Sequence, residues 1–383
     1  MSFRTSATGT PYRFRCVLSS FLQISGLAFA HVLAEEDIQR ACDEEGVDFG
    51  QPKDEQQKII YTPAVTLWAF LSQVLFKGEQ RSCLAATARM VILLSLATAM
   101  VSGMALGPYQ GKETGEPALL RELLAYFVAG DVLLCDRCYC SYFLIVMLQE
   151  RGVDVVTRLH QMRTADFSRG RRLAKGDHVV RWPRPDKPDW MDEATYESMP
   201  ESLEVRELHV QVDQPGFRTE SLVVVTTLLD ADTYSREDLA ELYHQRWLAE
   251  LDIRAIKIQL GMDVLRCQSP AMVRKEIWTC LLAYNLIRKT ILESAKQSGL
   301  SPRQISFTAA MQKVAASWAA VLLLSEASLA LLVEIDREYL ARHRVGHRPN
   351  RAEPRKVKRR PKPHKLLTEP RDTARARLLA GQE

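Results

Sequence analysis

Residues 243–257 read YHQRWLAELDIRAIK, and four side chains in this stretch decide how the chain is understood. Arg246, Glu250 and Lys257 follow Tyr243 at offsets of three, seven and fourteen. On a single helix, at about 100° per residue, they fall at roughly −60°, −20° and −40° from Tyr243. A phenol, a guanidinium, a carboxylate and an ammonium then share one narrow face. Apolar Leu242, Leu248, Ile256 and Leu260 take other angles and are free to bury against a sheet. A carboxylate between two cations and an aromatic suits metal-assisted phosphodiester chemistry: Glu250 holds Mg²⁺, Arg246 and Lys257 hold phosphates, and Tyr243 stacks or hydrogen-bonds. A solvated charged face with i,i+4 pairs is the competing interpretation.

Upstream of the helix the pattern alternates. Residues 91–97 and 100–106 are candidate strands, 117–128 an amphipathic helix, and 132–135 a short apolar strand ending at Asp136. Residues 141–151 read as a helix stopped by Gly152, before a strand over 153–159. Strand, helix and strand in so short a span make a βαβ unit with parallel pairing. Residues 160–233 are β-rich and turn-rich, and read as an insertion, because the Glu250 helix needs the earlier sheet to pack on. Ser235 with Asp238 supplies a capping signal for that helix, and Gly261 a stop. The first 88 residues read as helical, with one helix over 31–45 ending at Gly46 and another over 64–76 opened by Thr62 and Pro63. Further helices are expected over 272–294 and from 310 to 340.

The chain has 383 residues, 46% hydrophobic and 26% charged, ordinary for a folded protein of two or three domains. Its net charge of +4 is unevenly spread. Residues 342–365 hold eleven Lys or Arg against Glu353, a block of +10, which leaves the remainder at 4 − 10 = −6. A Pro-rich basic block of this kind suits a polyanion, nucleic acid before others. Eight cysteines without a signal peptide read as reduced thiols in the cytoplasm. Residues 90–108 carry no charge and approach the length of a short membrane span, but Ser95, Thr98, Ser102, Gly103 and Gly107 favour a buried hairpin.

The pattern Tyr243-x2-Arg246-x3-Glu250-x6-Lys257, with Trp247 after the arginine and Leu260-Gly261-Met262-Asp263 following, resembles the signature of the DDE transposases of bacterial insertion sequences. The subgroup is the IS-four family, named for its Tyr-Arg-Glu-Lys motif. The segment from Gly130 through Asp136, Arg137 and Tyr142 to Gln149, Arg151, Gly152 and Val153 is similar to the part of that family carrying its second catalytic Asp. The resemblance implies an α/β fold with a ribonuclease H-like core, interrupted by a β-rich insertion and flanked by helical regions. It divides the chain into a helical region over 1–88 with possible DNA contact, core over 89–159 and 235–265, insertion over 160–234, helices over 266–340 and a basic tail over 341–383. It implies that Asp136 and Glu250 are catalytic metal ligands for Mg²⁺ or Mn²⁺. Tyr243, Arg246 and Lys257 would position the terminal phosphates and a distorted base, and Trp182 or Trp190 would stack on an extruded base. The partner would be double-stranded DNA, as transposon end repeats and target, bound by a homodimer in the nucleoid, without a membrane.

The sequence departs from the family at its first Asp, expected on a strand just ahead of the 91–106 hairpin. No aspartate occurs between Asp54 and Asp131, and RSCLAAT at 81–87 runs almost directly into Met90 and Val91. The first core strand and its carboxylate are expected to be deleted. Asp131 is five residues from Asp136, hence on the opposite face of a strand, and Asp48 and Asp54 precede a helix. The expectation is therefore a catalytically defective transposase relative. A non-catalytic DNA-binding protein that occupies transposon ends or inhibits intact transposase is the alternative. Other motifs are weaker. Cys135, Cys138 and Cys140 lack a nearby fourth zinc ligand, His343 and His347 sit in the basic tail, and Gly111-Lys112 lacks the spacing of a phosphate loop.

Overall fold

The uncharged stretch over 90–108 is a β-hairpin covered on both faces. In the computed structural model, which describes residues 35–45, 67, 71, 74, 88–109, 111–211, 221–267, 269–321, 325–346 and 370–380, β1 (Ala88–Leu94) pairs antiparallel with β2 (Val101–Pro108), Val91 opposite Ala105. Val91, Leu93 and Ala105 enter one apolar cluster. Met90, Ile92 and Leu94 pack on another, built around Ile277, Leu281 and Tyr284. A strand buried on both sides loses the polar half of its period, which explains the membrane-like reading. Among the described residues no helix is long and apolar enough to cross a membrane. The first strand stops at Leu94, three residues short of expectation, because a turn held by Ser95 N–H to Met100 O (2.8 Å) and Ala99 N–H to Ser95 O (2.8 Å) takes over.

The βαβ unit forms as its spacing implies. Helix α2 (Glu116–Glu122) has a proline in its first turn and is followed by a 3₁₀ turn at Leu124–Tyr126, in place of one helix over 117–128. β3 (Val132–Leu134) leads through a 3₁₀ turn at Arg137–Tyr139 to α3 (Tyr142–Gln149). Ser141 caps α3 by accepting from Leu144 N–H at 3.2 Å. Gly152 ends the crossover at φ 69°, where a Cβ would press on the Ala129 Cβ at 3.1 Å. β4 (Asp154–Arg158) then runs parallel to β3, with Leu134 opposite Val156.

The β-rich stretch extends this same sheet. After β5 (Arg171–Ala174), β6 (Asp177–Pro183), the short α4 (Glu193–Ser198) and β7 (Ser202–Gln211), β8 (Ser221–Thr226) pairs antiparallel with β4, Val156 opposite Thr226. The order is β3-β4-β8-β7-β6-β5. The fold is thus α/β with a mixed sheet, consistent with a ribonuclease H-like core. Among the described residues β3 and β5 are the two edges of the six-stranded sheet, and the β1–β2 hairpin stands as its own two-stranded sheet. One face of the large sheet packs on α3. The other places Val156, Leu208 and Val224 against Leu239 and Tyr243.

The helices after the site are α7 (Pro270–Gln297), which extends the stretch expected over 272–294 at both ends, and α8 (Phe307–Val321) and α9 (Glu326–Arg342), which divide the stretch expected from 310 to 340. Helix α1 (Glu35–Glu44) matches the first N-terminal expectation, whose stop Gly46 lies outside the described residues. Of the helix expected over 64–76 only Leu67, Leu71 and Val74 are described, each helical, with Leu71 and Val74 buried. All this belongs to one compact unit, 1–211 with 221–347. The second unit is Val212–Glu220 with Arg348–Glu383, of which α10 (Arg371–Leu379) is the described helix. Most of the basic block lies outside the described residues, as does His347.

Strands β6 and β7 bury charge in pairs. Arg206 and Asp177, 1% and 3% exposed, form a bidentate pair at 2.9 and 2.6 Å. A third guanidinium N–H reaches Tyr234 O at 2.7 Å. Removing one partner strands the other charge, so Arg206→Ala is expected to cost about 3–5 kcal/mol. The double change Asp177→Leu with Arg206→Met should recover most of that, both read from urea midpoints.

Candidate active site

Ser235 caps the first site helix, α5 (Arg236–His244), its hydroxyl accepting from Asp238 N–H at 3.1 Å. The single helix expected through residue 257 does not form. Arg246, Leu248 and Ala249 each donate three residues back, to Tyr243, Gln245 and Arg246, at 3.1, 2.9 and 3.1 Å. After this tightened turn comes α6 (Trp247–Arg254), then a π-helical turn at Ala255–Gln259 in which Leu260 N–H reaches Ala255 O, five back. A tight turn adds rotation per residue and a π turn removes it, so a constant 100° step misplaces the side chains.

Of the four signature residues, Lys257 accordingly parts from the other three. Tyr243 is buried among Val156, Val224 and Leu239. Arg246 is half-buried and holds the exposed Glu250 carboxylate at 2.9 Å. Lys257 is exposed on the π turn, and among the described residues no hydrogen bond or ion pair joins it to the other three. Ile256 and Leu260, expected against the sheet, pack instead in the cluster of α7.

Asp136 lies just beyond β3, where the last ladder bond runs from Cys135 N–H to Val156 O at 3.1 Å. Its exposed carboxylate accepts from Arg137 N–H at 2.8 Å, and its carbonyl accepts from the Thr157 hydroxyl at 3.1 Å. It stands close enough to Tyr243 and Arg246 to act on both. Burial pushes the Tyr243 phenol up to about 12; Arg246 and Arg158 pull it back, while Asp136 adds to the rise. For Arg246 burial works against the charge, but Tyr243, Glu250 and Asp136 outweigh it and the pKa rises. Asp136 and Glu250 thus both favour the charged form of Arg246, which pairs directly with Glu250. Arg158, the last residue of β4, acts on Tyr243 and was not anticipated. Its place at the carboxyl end of the parallel neighbour of β3 is the signal that points to it.

Trp182 is a core residue, not a free stacking platform. It is 4% exposed and donates to Glu207 at 2.9 Å. Trp190 is half-buried, with the Arg121 guanidinium 3.7 Å over its ring. Burial pushes the Cys135 and Cys138 thiols up to about 12 and Cys140 to about 11, so all three stay protonated at neutral pH. Among the described residues no three His, Cys, Asp or Glu side chains are placed to hold a metal ion.

With this geometry in place, the kinship is direct. The family described as "Transposase DDE domain" matches residues 77–286, more than half of the chain, which belongs to that family. The transposase InsG of insertion sequence element IS4 from Escherichia coli K12 is 26% identical over 284 residues, 71% of this chain and 60% of that protein. The chain thus spans about three-fifths of that relative's length. The putative transposase InsL of IS186A, from the same strain, is 38% identical over 72 residues, 19% of this chain and 20% of its own. Among solved structures, the piggyBac transposase synaptic complex with hairpin DNA aligns at a TM-score of 0.37 and 10% identity, covering 69% of this chain and 55% of that one, too distant to inform the site.

The Tyr243 environment has a measurable consequence. An acid whose pKa rises on folding contributes its full stability below pH 10, the ordinary tyrosine value, and loses it as pH climbs towards 12. The stability of the wild type relative to Tyr243→Phe is therefore expected to fall between pH 10 and about 12, and to stay level between pH 7 and 9, in denaturant titrations.

Proposed function

We propose that this chain is a DNA-binding member of the transposase family that does not complete strand cleavage. The observation that carries the reading is its donor set. Asp136 and Glu250 remain as carboxylates, Glu250 is engaged by Arg246 at 2.9 Å, and no aspartate occurs between Asp54 and Asp131. In DDE chemistry a divalent ion, Mg²⁺ or Mn²⁺, activates the nucleophile and stabilises the leaving oxygen. Among the described residues no third carboxylate joins the two at the end of β3 and on α6, so the described donors alone do not fit that arrangement. Among the described residues the hairpin and β3 belong to separate sheets, an arrangement that agrees with this reading.

DNA contact needs none of that chemistry. Arg246 and Lys257 meet phosphates at the end of the element, Tyr243 orients Arg246 from beneath, and the basic block at 342–365 adds sequence-independent attraction. In this reading the core of 89–159 and 235–265 is flanked by accessory DNA contacts in 1–88 and 341–383, and a homodimer binds paired ends. Binding without cutting makes the protein an occupant of transposon ends, and through mixed dimers an inhibitor of an intact transposase.

Gel retardation of duplexes carrying the flanking element ends tests this. Wild type and Glu250→Gln should retard the end DNA alike, and more strongly than unrelated duplex. Arg246→Ala should weaken binding and reduce the salt slope by about one, as expected for one lost phosphate contact. Equal retardation of any duplex, unchanged by Arg246→Ala, would sink the proposal.

A further inference from the structure

We infer that Asp252 is a positioning residue, which fixes the rotational setting of α6 and with it the Arg246–Glu250 pair offered to DNA. The inference deepens the DNA-binding reading and rests on it. Asp252 follows Glu250 by two residues, about 200° around the helix, so one carboxylate points out where the other points in. The Glu250 side chain is 63% exposed and that of Asp252 2%.

The buried carboxylate is gripped by two guanidinium groups from different elements. Arg288 of α7 donates at 2.8 Å and Arg303, in the 3₁₀ turn Pro302–Gln304, at 3.0 Å. Two cations on one anion leave a surplus of charge and of donors, and one tight turn absorbs it. Arg303 donates to Ser95 O at 3.3 Å and also to Leu96 O. Arg288 donates to the Tyr284 hydroxyl at 3.0 Å, which in turn donates to Ala99 O at 2.8 Å. Asn285 pins Val101, taking its N–H and giving to its O, both at 2.8 Å.

The turn itself is held against its preference. Ala99, fully buried, sits at φ 62°, a left-handed conformation that a non-glycine residue keeps only where its surroundings over-determine it. The chain of contacts runs from the helix of Glu250, through two arginines and a tyrosine, to the hairpin that separates the two large cores. Apolar burial of Ile256 and Leu260 holds this segment down, but such contact is non-directional and leaves rotation loosely set. The carboxylate with its two forks sets it.

The test replaces Asp252 by Asn, which keeps the shape and removes the charge, with Arg303→Gln as a milder variant should Asp252→Asn fold poorly. Hydrogen exchange should rise selectively over residues 247–260 and 95–100, with β6 and β7 unchanged. In retardation assays with end DNA, on protein shown to be folded, Asp252→Asn should lose affinity about tenfold, within the range of coupled neighbouring contacts. Arg246→Ala combined with Asp252→Asn should bind no worse than Arg246→Ala alone, because both changes disable the same contact. Losses that multiply, unchanged affinity, or exchange raised evenly through the fold would each overturn the inference. Should wild type fail to retard DNA at all, the binding reading falls, and the exchange pattern alone decides whether Asp252 sets the helix.

Discussion

The architecture depends on a hairpin that carries no charge from Met90 to Pro108 and is buried on both faces. Between Met90 and Pro108 alternate side chains serve two different cores, one shared with α2 and α3 and the other with α7. The turn closes on itself through Ser95, Ala99 and Met100, Arg303 donates to the carbonyls of Ser95 and Leu96, and Tyr284, itself held by Arg288, donates to that of Ala99. A buried backbone must have its hydrogen-bonding groups satisfied, and here the satisfaction also joins the hairpin to the helix of Glu250. One constraint thus determines both packing and the setting of the site.

Among the described residues charge is buried in two places, with different consequences. In β6 and β7 the Arg206–Asp177 pair and the His178–Glu207–Trp182 set cross between neighbouring strands and fix register far from the signature residues. Around Asp252 the partners come from elements 36 and 51 residues away, and they fix how a helix sits on a hairpin. A buried ion pair is weak evidence for stability, since desolvation offsets much of the attraction. Both sets are better understood as specifying an arrangement.

Much of the fold was legible because it follows from local pattern. The βαβ unit, its Gly152 stop and the hairpin all rest on periodicity and turn chemistry within about thirty residues. The break after His244 was not legible. Gln245 and Arg246 are neither glycine nor proline, and the tight turn and the π turn that follows answer to tertiary packing of Tyr243 and Ile256. Of the signature residues, Arg246 and Glu250 pair as neighbours one turn apart, whereas Lys257 lies past the irregular turn; Asp136 stood out through the family resemblance rather than through local pattern. Trp182 looked available because nothing in its own strand announces Glu207 on the next one. The Asp252 network joins residues with no shared period, and only the folded chain reveals it.

The central claim is that this chain keeps the DNA-facing half of a transposase site and has lost the cutting half. Incubating the protein with duplex carrying both flanking element ends, in Mg²⁺ and separately in Mn²⁺, and scoring strand nicks at the ends tests it most directly, with Glu250→Gln alongside. The account predicts no end-specific nicks in either protein. End-specific nicks in the wild type that disappear in Glu250→Gln would contradict it, and would mean that another carboxylate completes the metal site.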